Sequence, residues 1–589
     1  MRNRAYWFLL FAVAVLCLAV YQFPYALEVA SNGFTRLPPF FDFDQMLYLN
    51  LSSVRHVSPT EIMNPWYGDS VLLKDVPHLQ FGLAFRMFGA VHHLAGGWLS
   101  SVLVWNACWT FLSFGAALFC LKQMFPDSKA ELWVLMAMAL LVLRSPLTYL
   151  SVATQVLKHK NYFDITLPYL RFAFPQVVVP VVLMYWGLQV ATLRNWAWKY
   201  LVGMAVFQWI AFMIFPYIIP LVALGTAITF AFAIMRPGES GARFPVSRVA
   251  AFAAACAMLD LGYILLVGFG GSHGNVRFGL QFNRAMLLPS LRPYMLLLLL
   301  AAGLALMSKA SFAARTTVAG LAISNAILGF SDVVFPFDAQ MATHINYIVD
   351  LTTVLTLLVF MWSFLERMYG PILRTSLVIF LTLLGLWSGY SNYRVFRDLN
   401  RFQAASELAL EKVNLTSSDL VIAPSQTADD VSSWIPLISE AGVLFTIDGE
   451  NMLPADRVHS EQTFRQAAYL ELGGFGVPAL LSATADGSLD SQVNALTQHG
   501  ERGYLRSPLP AHRSEARAVV RARLQPVLER IENDPESIRH LFSSYRRLVV
   551  VDHSEHPVFP RSALNNWVEV LEQYEQGGVT VLICRPRMT

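Results

Sequence analysis

Apolar residues dominate the first two thirds of this chain in long runs, and polar residues gather between them. Runs of membrane-spanning length fall near 5–22, 98–121, 131–150, 172–192, 200–215, 217–235, 249–268, 292–308, 316–330, 345–365 and 374–390. A span needs about 20 apolar residues, fewer where neighbouring protein shields its ends. The stretch from 200 to 235 is too long for one span, and "FPYIIP" with Pro216 and Pro220 offers a turn in its middle. The pattern therefore predicts about eleven transmembrane helices. The first run follows a basic start and has no small-x-small cleavage site before "PYALE", so it reads as a retained span.

Basic residues of short loops give an orientation. With Arg2 and Arg4 inside, Lys122 and Lys129, Arg194 and Lys199, the loop "RPGESGARFPVSR", Lys309 and Arg315, and Arg367 and Arg374 also fall inside. Loops 23–97, 151–171, 269–291 and 331–344 then lie outside. An odd number of spans puts the tail outside too. Within the first outer loop, "LQFGLAFRMFGAVHHLAGG" reads as a helix at the membrane surface.

Past about residue 400 the pattern changes. "SDLVIAP" (418–424), "GVLFTID" (442–448), "RRLVVVD" (546–552) and "GVTVLIC" (578–584) are short β-branched runs. Helix-like segments at 459–472, 512–531 and 562–576 separate them. Strands alternating with helices predict a soluble α/β domain with a mostly parallel sheet. Strand ends such as "AP" and "VD" are where such sheets place ligands. No G-x-G-x-x-G, phosphate-binding loop or G-x-S-x-G stands at a persuasive place, so packing or docking is the leading role for this domain. The expected organisation is a membrane domain over 1–395 and an α/β domain over 396–589.

Composition agrees. Of 589 residues, 55% are hydrophobic and 14% charged, well below the roughly one quarter charged of soluble proteins. A net charge of +3 gives no reason to expect nucleic acid. Four of the five cysteines, Cys17, Cys108, Cys120 and Cys256, fall in apolar runs, and Cys584 lies in the tail. No disulfide or metal-type spacing is present.

Candidate chemistry starts at "PPFFDFDQMLYLN" (38–50), just outside the first span. The prolines end an extended segment, after which a helix can start. Asp42 then suits the N-cap, with Gln45 at the third helical position as in a capping box. Asp44 would lie in the first turn, where the helix dipole tolerates a carboxylate. The chemical reading is an acid desolvated among aromatics and so suited to proton transfer, or a pair that holds a divalent cation through oxygen ligands.

Other polar groups fall on the same face. Arg171 meets a span four residues before Pro175. It pairs with Asp164 or grips a phosphate through its planar fork. Loop 269–291 adds His273, Arg277 and Arg284 among glycines, as an anchor at the membrane surface or as a phosphate-binding loop. His344, with Asn346 and Tyr347, opens a late span as an anchor or as a partner to substrate phosphate. Asp332 and Asp338 border that segment. His78, His92 and His93 have no metal-ligand spacing. Arg144 and Asp260 are ionisable groups near predicted span ends.

An acidic pair in the first outer loop, after a first span, resembles the membrane-embedded glycosyltransferases of the GT-C class. "NPWYGDSVLLKDVPHLQFGLAFRMFG" (64–89), "YLRFAFPQVVVPVVLMYWGL" (169–188), "GFSDVVFPFDAQMATHINYIVD" (329–350) and "VIAPSQTADDVSSWIPLISEAGVLF" (421–445) resemble stretches of uncharacterised GT-C-like proteins from bacterial polysaccharide clusters. The late segment departs from the pattern, with "SDVVFPFD" in place of an Asn and a Thr-Gly.

The resemblance implies a polyprenyl-phosphate-linked sugar donor, a glycan, lipid or protein acceptor, and a site on the outer face of a bacterial cytoplasmic membrane. It implies Asp44 as general base or metal ligand with Asp42 in support. Arg171, Arg277, Arg284, His344 and His78 would bind substrate. GT-C-like folds also host proteins without catalysis. A non-catalytic component that binds or transports lipid-linked glycan would keep the arginines and lose the need for Asp44, and a membrane-anchored scaffold whose outer α/β domain binds a partner would have loosely placed outer-face charges.

Overall fold

A computed structural model describes residues 2–41, 45–54, 56–58, 61–67, 69–72, 82–146, 148–149, 166–170, 176–236, 244–267, 288–329, 341–425, 431–446, 449, 453, 458–476 and 510–587. The chain is mostly helical, and the β structure lies in two places. Helix α1 (Arg2–Asn32) leads to α2 (Gln45–Ser53) and to strands β1 (His56–Ser58), β2 (Glu61–Met63) and β3 (Ser70–Leu72). Then come α3 (Leu83–Ala95), α4 (Trp98–Met124), α5 (Ala130–Val142), α6 (Val178–Asn195), α7 (Trp198–Ile214) and α8 (Ile219–Met235). The bundle closes with α9 (Val246–Val267), α10 (Leu288–Met307), α11 (Phe312–Gly329), α12 (Met341–Met368) and α13 (Pro371–Glu411).

Five helices among the described residues are long and apolar enough to cross a membrane: Tyr6–Asn32, Trp98–Met124, Phe312–Gly329, Ile348–Met368 and Pro371–Glu411. Apolar side chains stay exposed along them, including Trp7, Phe8 and Phe11 on α1 and Ile379, Phe380 and Leu383 on α13. Such a surface suits lipid rather than water. The split expected at "FPYIIP" is present: α7 and α8 are separated by a 3-10 turn, Pro216–Ile218.

Three boundaries differ from expectation. α1 runs past the predicted end at 22, through Pro24, to Asn32. Proline leaves the Val20 carbonyl without its helical donor. That carbonyl faces Gly389 of α13, where an added Cβ would lie 3.5 Å from it and 3.2 Å from the Pro24 ring. Gly385, one turn earlier, meets Val20 still more closely, at 2.7 Å for an added Cβ. The pair Gly385–Gly389 is a small-xxx-small seam that brings two helix backbones together. α5 ends at Val142, not near 150, because Leu143 turns extended ahead of Arg144, Ser145 and Pro146. α13 does not stop at 390. It continues unbroken for 41 residues through the expected junction at 395/396.

The reason is a stripe of buried residues at helical spacing, Ser388, Asn392, Phe396, Asn400, Gln403 and Glu407. They pack this extension against α1 and the segment that follows it.

The C-terminal sheet has the order β5-β4-β6-β8-β7, with β4 (Asp419–Ile422), β5 (Gly442–Val443), β6 (Arg547–His553), β7 (Val568–Gln576) and β8 (Val579–Pro586). β5, β4 and β6 are parallel, and β6, β8 and β7 are antiparallel. The sheet is therefore mixed, not mostly parallel. The segment 562–576, read as helix-like, holds a short helix, Arg561–Leu564, followed by β7. Gly577 and Gly578 turn β7 into β8, both with positive φ (60° and 86°). That matches the two-residue hairpin turn whose central residues need φ > 0.

Alternate residues of the central strands enter two different cores, as the period of two requires. Leu420, Ile422, Leu548 and Val550 pack with Leu524, Leu528 and Phe542 of the domain's own helices. Val421, Val549, Val551, Val579 and Val581 join the core of the bundle, together with Phe402, Ala405 and Ala409 of α13. A strand buried on both faces reads as an unbroken apolar run, as "LVVV" does.

Candidate functional site

The first outer segment is tied down by side chains of α13. Beyond α1 the chain is extended, so its backbone groups need partners outside itself. Arg36 N–H donates to Glu407 Oε1 (2.5 Å) and Leu37 N–H to Glu407 Oε2 (3.4 Å). Phe40 N–H donates to Asn400 Oδ1 (2.6 Å), and Asn400 Nδ2 donates to Phe40 O (3.1 Å). Gln45, first residue of α2, closes the other side: its amide Nε2 donates to Pro39 O (3.1 Å), and its Oε1 accepts from Phe41 N–H (3.2 Å). Gln45 reaches back to Phe41; the Asp42 N–H expected to complete a capping box lies outside the described residues.

Both flanks of the acidic pair are thus fixed. Asp42 and Asp44 themselves lie outside the described residues, as do His78, Arg171, Arg277 and Arg284, and with them the expected Arg171–Asp164 contact. His344 falls in the first turn of α12, with its side chain outside the described residues.

Beside this segment is a small cleft lined by Glu28, Asn32, Thr35, Pro39, Asn400 and Gln403. Glu28 is 3% exposed. Its Oε1 accepts from Asn400 Nδ2 (2.7 Å) and its Oε2 from Asn32 Nδ2 (2.8 Å). None of these residues stood out in the sequence, because 23–97 read as loop and the chain near 400 as a junction. The signal was available: Glu28 and Asn32 stand four apart, as helix-surface neighbours do.

Arg144 and Asp350 form a second polar centre. Arg144 Nη1 lies 3.1 Å from Asp350 Oδ2. The guanidinium also donates to Thr166 O (2.8 Å), Thr166 Oγ1 (2.7 Å) and Leu167 O (2.8 Å). Ser145 N–H donates to Asp350 Oδ1 (2.6 Å), and Leu167 N–H to Asn392 Oδ1 of α13 (2.8 Å). Every charge here has a partner, so the cluster joins α5, α12, α13 and the chain before α6. Asp260 of α9 has a lesser tie, accepting from Gln208 of α7 at 3.1 Å.

The "NPWY" turn at 64–67 docks the C-terminal domain. Asn64 Oδ1 accepts from Trp66 N–H (3.0 Å) and Tyr67 N–H (3.3 Å), which sets the turn. Trp66 O then accepts from Val443 N–H (2.9 Å), covering the edge of β5, and Trp66 Nε1 donates to Ser433 O (3.0 Å). Tyr67 donates its hydroxyl to Gln462 and carries the Arg465 guanidinium 4.2 Å over its ring. Burial and Arg465 act on that phenol in opposite senses, and burial prevails, raising it above its ordinary value.

The turn therefore lies at the end of β5, the edge strand of the parallel set. α3 packs inward as well, with Phe88 edge-on to Trp105 (5.4 Å). His92 of α3 stacks on Trp98 (3.7 Å) and bonds Ser101 Oγ (3.0 Å). Burial pushes its imidazole down from the ordinary value. Among the described residues no group of three or more His, Cys, Asp or Glu is arranged to hold a metal ion.

No protein-family model matches the chain, and no curated protein matches it significantly.

Proposed function

We propose that this chain is an integral membrane glycosyltransferase with about eleven spans, acting at the outer face of the bacterial cytoplasmic membrane. It moves a sugar from a polyprenyl-phosphate-linked donor to a glycan, lipid or protein acceptor. The observation that supports this most is the fixing of the chain on either side of the two aspartates, at 36–41 and at Gln45. Glu407 holds the backbone of Arg36 and Leu37, Asn400 that of Phe40 and Gln45 that of Phe41, at the end of the bundle that carries the C-terminal domain. A catalytic acid has to be held against rigid elements to act on one geometry.

In this reading Asp44 takes the proton of an acceptor hydroxyl, with Asp42 in support, or the two share a divalent cation. The acceptor oxygen bonds to the anomeric carbon as the bond from that carbon to the phosphate oxygen breaks. Polyprenyl phosphate leaves with the electron pair. Arg171, Arg277 and Arg284 stabilise its charge, with His344 and His78 as further substrate contacts. The C-terminal domain, docked through Trp66 and Tyr67, caps the site from the periplasmic side.

The test is turnover of polyprenyl-phosphate sugars by the full chain in lipid. Asp44→Asn is expected to lower kcat by about a hundredfold or more, the contribution of a general base, while donor binding persists. Donor binding without turnover in the unaltered chain would instead favour a carrier of lipid-linked glycan.

A further inference from the structure

The Glu28 cleft has a chemistry that the transferase reading does not use. Each amide nitrogen around it already donates to a partner. Asn400 Nδ2 and Asn32 Nδ2 both point to the Glu28 carboxylate, at 2.7 and 2.8 Å. Thr35 Oγ1 donates to Leu37 O (2.7 Å), and Gln403 Nε2 to Pro38 O (3.4 Å). The buried atom left without a partner is an acceptor. Gln403 is 3% exposed and its buried Oε1 has no partner. The Glu28 carboxyl is bonded by neutral amides. Arg397 acts on it electrostatically without bonding it; the Arg397 guanidinium is bonded to Asp398 at 3.1 Å. A buried acceptor array of this kind calls for a ligand with several N–H donors and a positive charge.

The position narrows the ligand. Glu28 stands 22 residues beyond Tyr6, about 33 Å of helix, one hydrocarbon thickness. Trp387 and Tyr390 are exposed on α13 below the cleft, and exposed aromatics of this kind mark the membrane surface. Asn400 lies seven residues past Tyr393, about 10 Å further along α13, in the headgroup layer. Arg397 and Arg401 are exposed on α13 on either side of Asn400.

We infer that the cleft between α1 and the α13 extension is a headgroup site for a primary-ammonium phospholipid, phosphatidylethanolamine. The ammonium enters the cleft and donates to Glu28 and Gln403 Oε1. The phosphate, one ethylene unit away, lies against Arg397 and Arg401. A choline headgroup has no N–H to give and leaves Gln403 Oε1 unpaired. The inference needs the apolar helices to lie in a bilayer and does not depend on glycosyl transfer.

The test is native mass spectrometry of the full chain from detergent with phosphatidylethanolamine, its N-methyl and N,N-dimethyl forms, and phosphatidylcholine, all with the same acyl chains. The unaltered protein is expected to prefer ethanolamine over choline by about tenfold, the worth of one charge-assisted hydrogen bond, with the methylated forms in between. Glu28→Gln and Gln403→Met should each bring the ratio toward one. Arg397→Gln should weaken both lipids and keep the ratio. If Glu28→Gln does not fold, Gln403→Met reads the same contact without touching the carboxylate. Equal binding of the four headgroups by the unaltered protein, or a preference that survives Gln403→Met, would overturn the assignment.

Discussion

Asp350 and Glu28 are both carboxylates drawn into the same end of the helix bundle, 8% and 3% exposed, yet they are satisfied differently. Asp350 faces the Arg144 guanidinium and a backbone N–H, and Arg144 fills its remaining donors with backbone carbonyls and a hydroxyl. That set is closed and joins helices. Glu28 is held by two amides and opens on a cleft. A buried charge matched by its opposite is bound up in the fold, whereas one matched only by neutral dipoles still has charge to offer a ligand.

The contrast gives ordered expectations. Asp350→Ala leaves the largely covered Arg144 guanidinium without its counter-charge, so it should cost about 3 kcal/mol, read as a lowered thermal midpoint of the full chain. Asp419→Asn should come next. Asp419 is fully buried at the start of β4 and takes two bonds from Arg547, at 2.8 and 2.6 Å. Its loss should cost about 2–3 kcal/mol, seen as faster amide exchange in β4 and β6. Tyr67→Phe removes one hydroxyl bond from the domain dock and should cost about 1 kcal/mol, measured as exchange across 64–67 and 442–446. Glu28→Gln should be the mildest, below about 1 kcal/mol, because glutamine still accepts from Asn400. A larger loss for Glu28→Gln than for Asp350→Ala would erase the distinction.

Acid sharpens the comparison within the C-terminal domain. Burial alone would push the Asp419 carboxyl up, but the Arg547 bonds and those from Thr416 outweigh it and hold it below the ordinary carboxylate range. Asp552, at the end of β6, is pushed up by burial against the pull of the Val558, Phe559 and His553 N–H groups. A depressed carboxyl adds stability above its unfolded value and loses it as pH falls through the folded one. A raised carboxyl does the reverse, its contribution fading as pH rises through the folded value. Asp419→Asn should therefore flatten the loss of domain stability below about pH 4, near the unfolded carboxyl value. Asp552→Asn should ease the penalty above it. Amide exchange of β4 and β6 against pH distinguishes the two.

The long helices were legible because a bilayer-length apolar run leaves little choice of structure. Their ends were not, because partners set them. α13 continues past 390 on a buried stripe that includes Asn392, Asn400, Gln403 and Glu407, while the interleaved Arg394, Arg397 and Arg401 made the apolar run appear to stop. "WVEVLEQYEQ" has apolar residues that fit a spacing of four as well as two. The decisive mark was the Gly577–Gly578 pair after it. The "NPWY" stretch stood out for its resemblance, and its residues prove to form the turn that docks the domain. Glu28, Asn400 and Gln403 were passed over because one seemed to lie in a loop and the others in a junction. They meet only once α1 and α13 extend past their apolar limits.

The central claim is that a polyprenyl-phosphate sugar reacts at the segment bearing Asp42 and Asp44. Electron cryomicroscopy of the full chain in lipid, with a polyprenyl phosphonate analogue of the donor, tests it most directly. The account predicts density for the phosphonate within hydrogen-bonding distance of Arg171, Arg277 or Arg284, with the sugar facing Asp44. A phosphonate bound away from the 38–45 segment, with the two aspartates facing solvent, would contradict it.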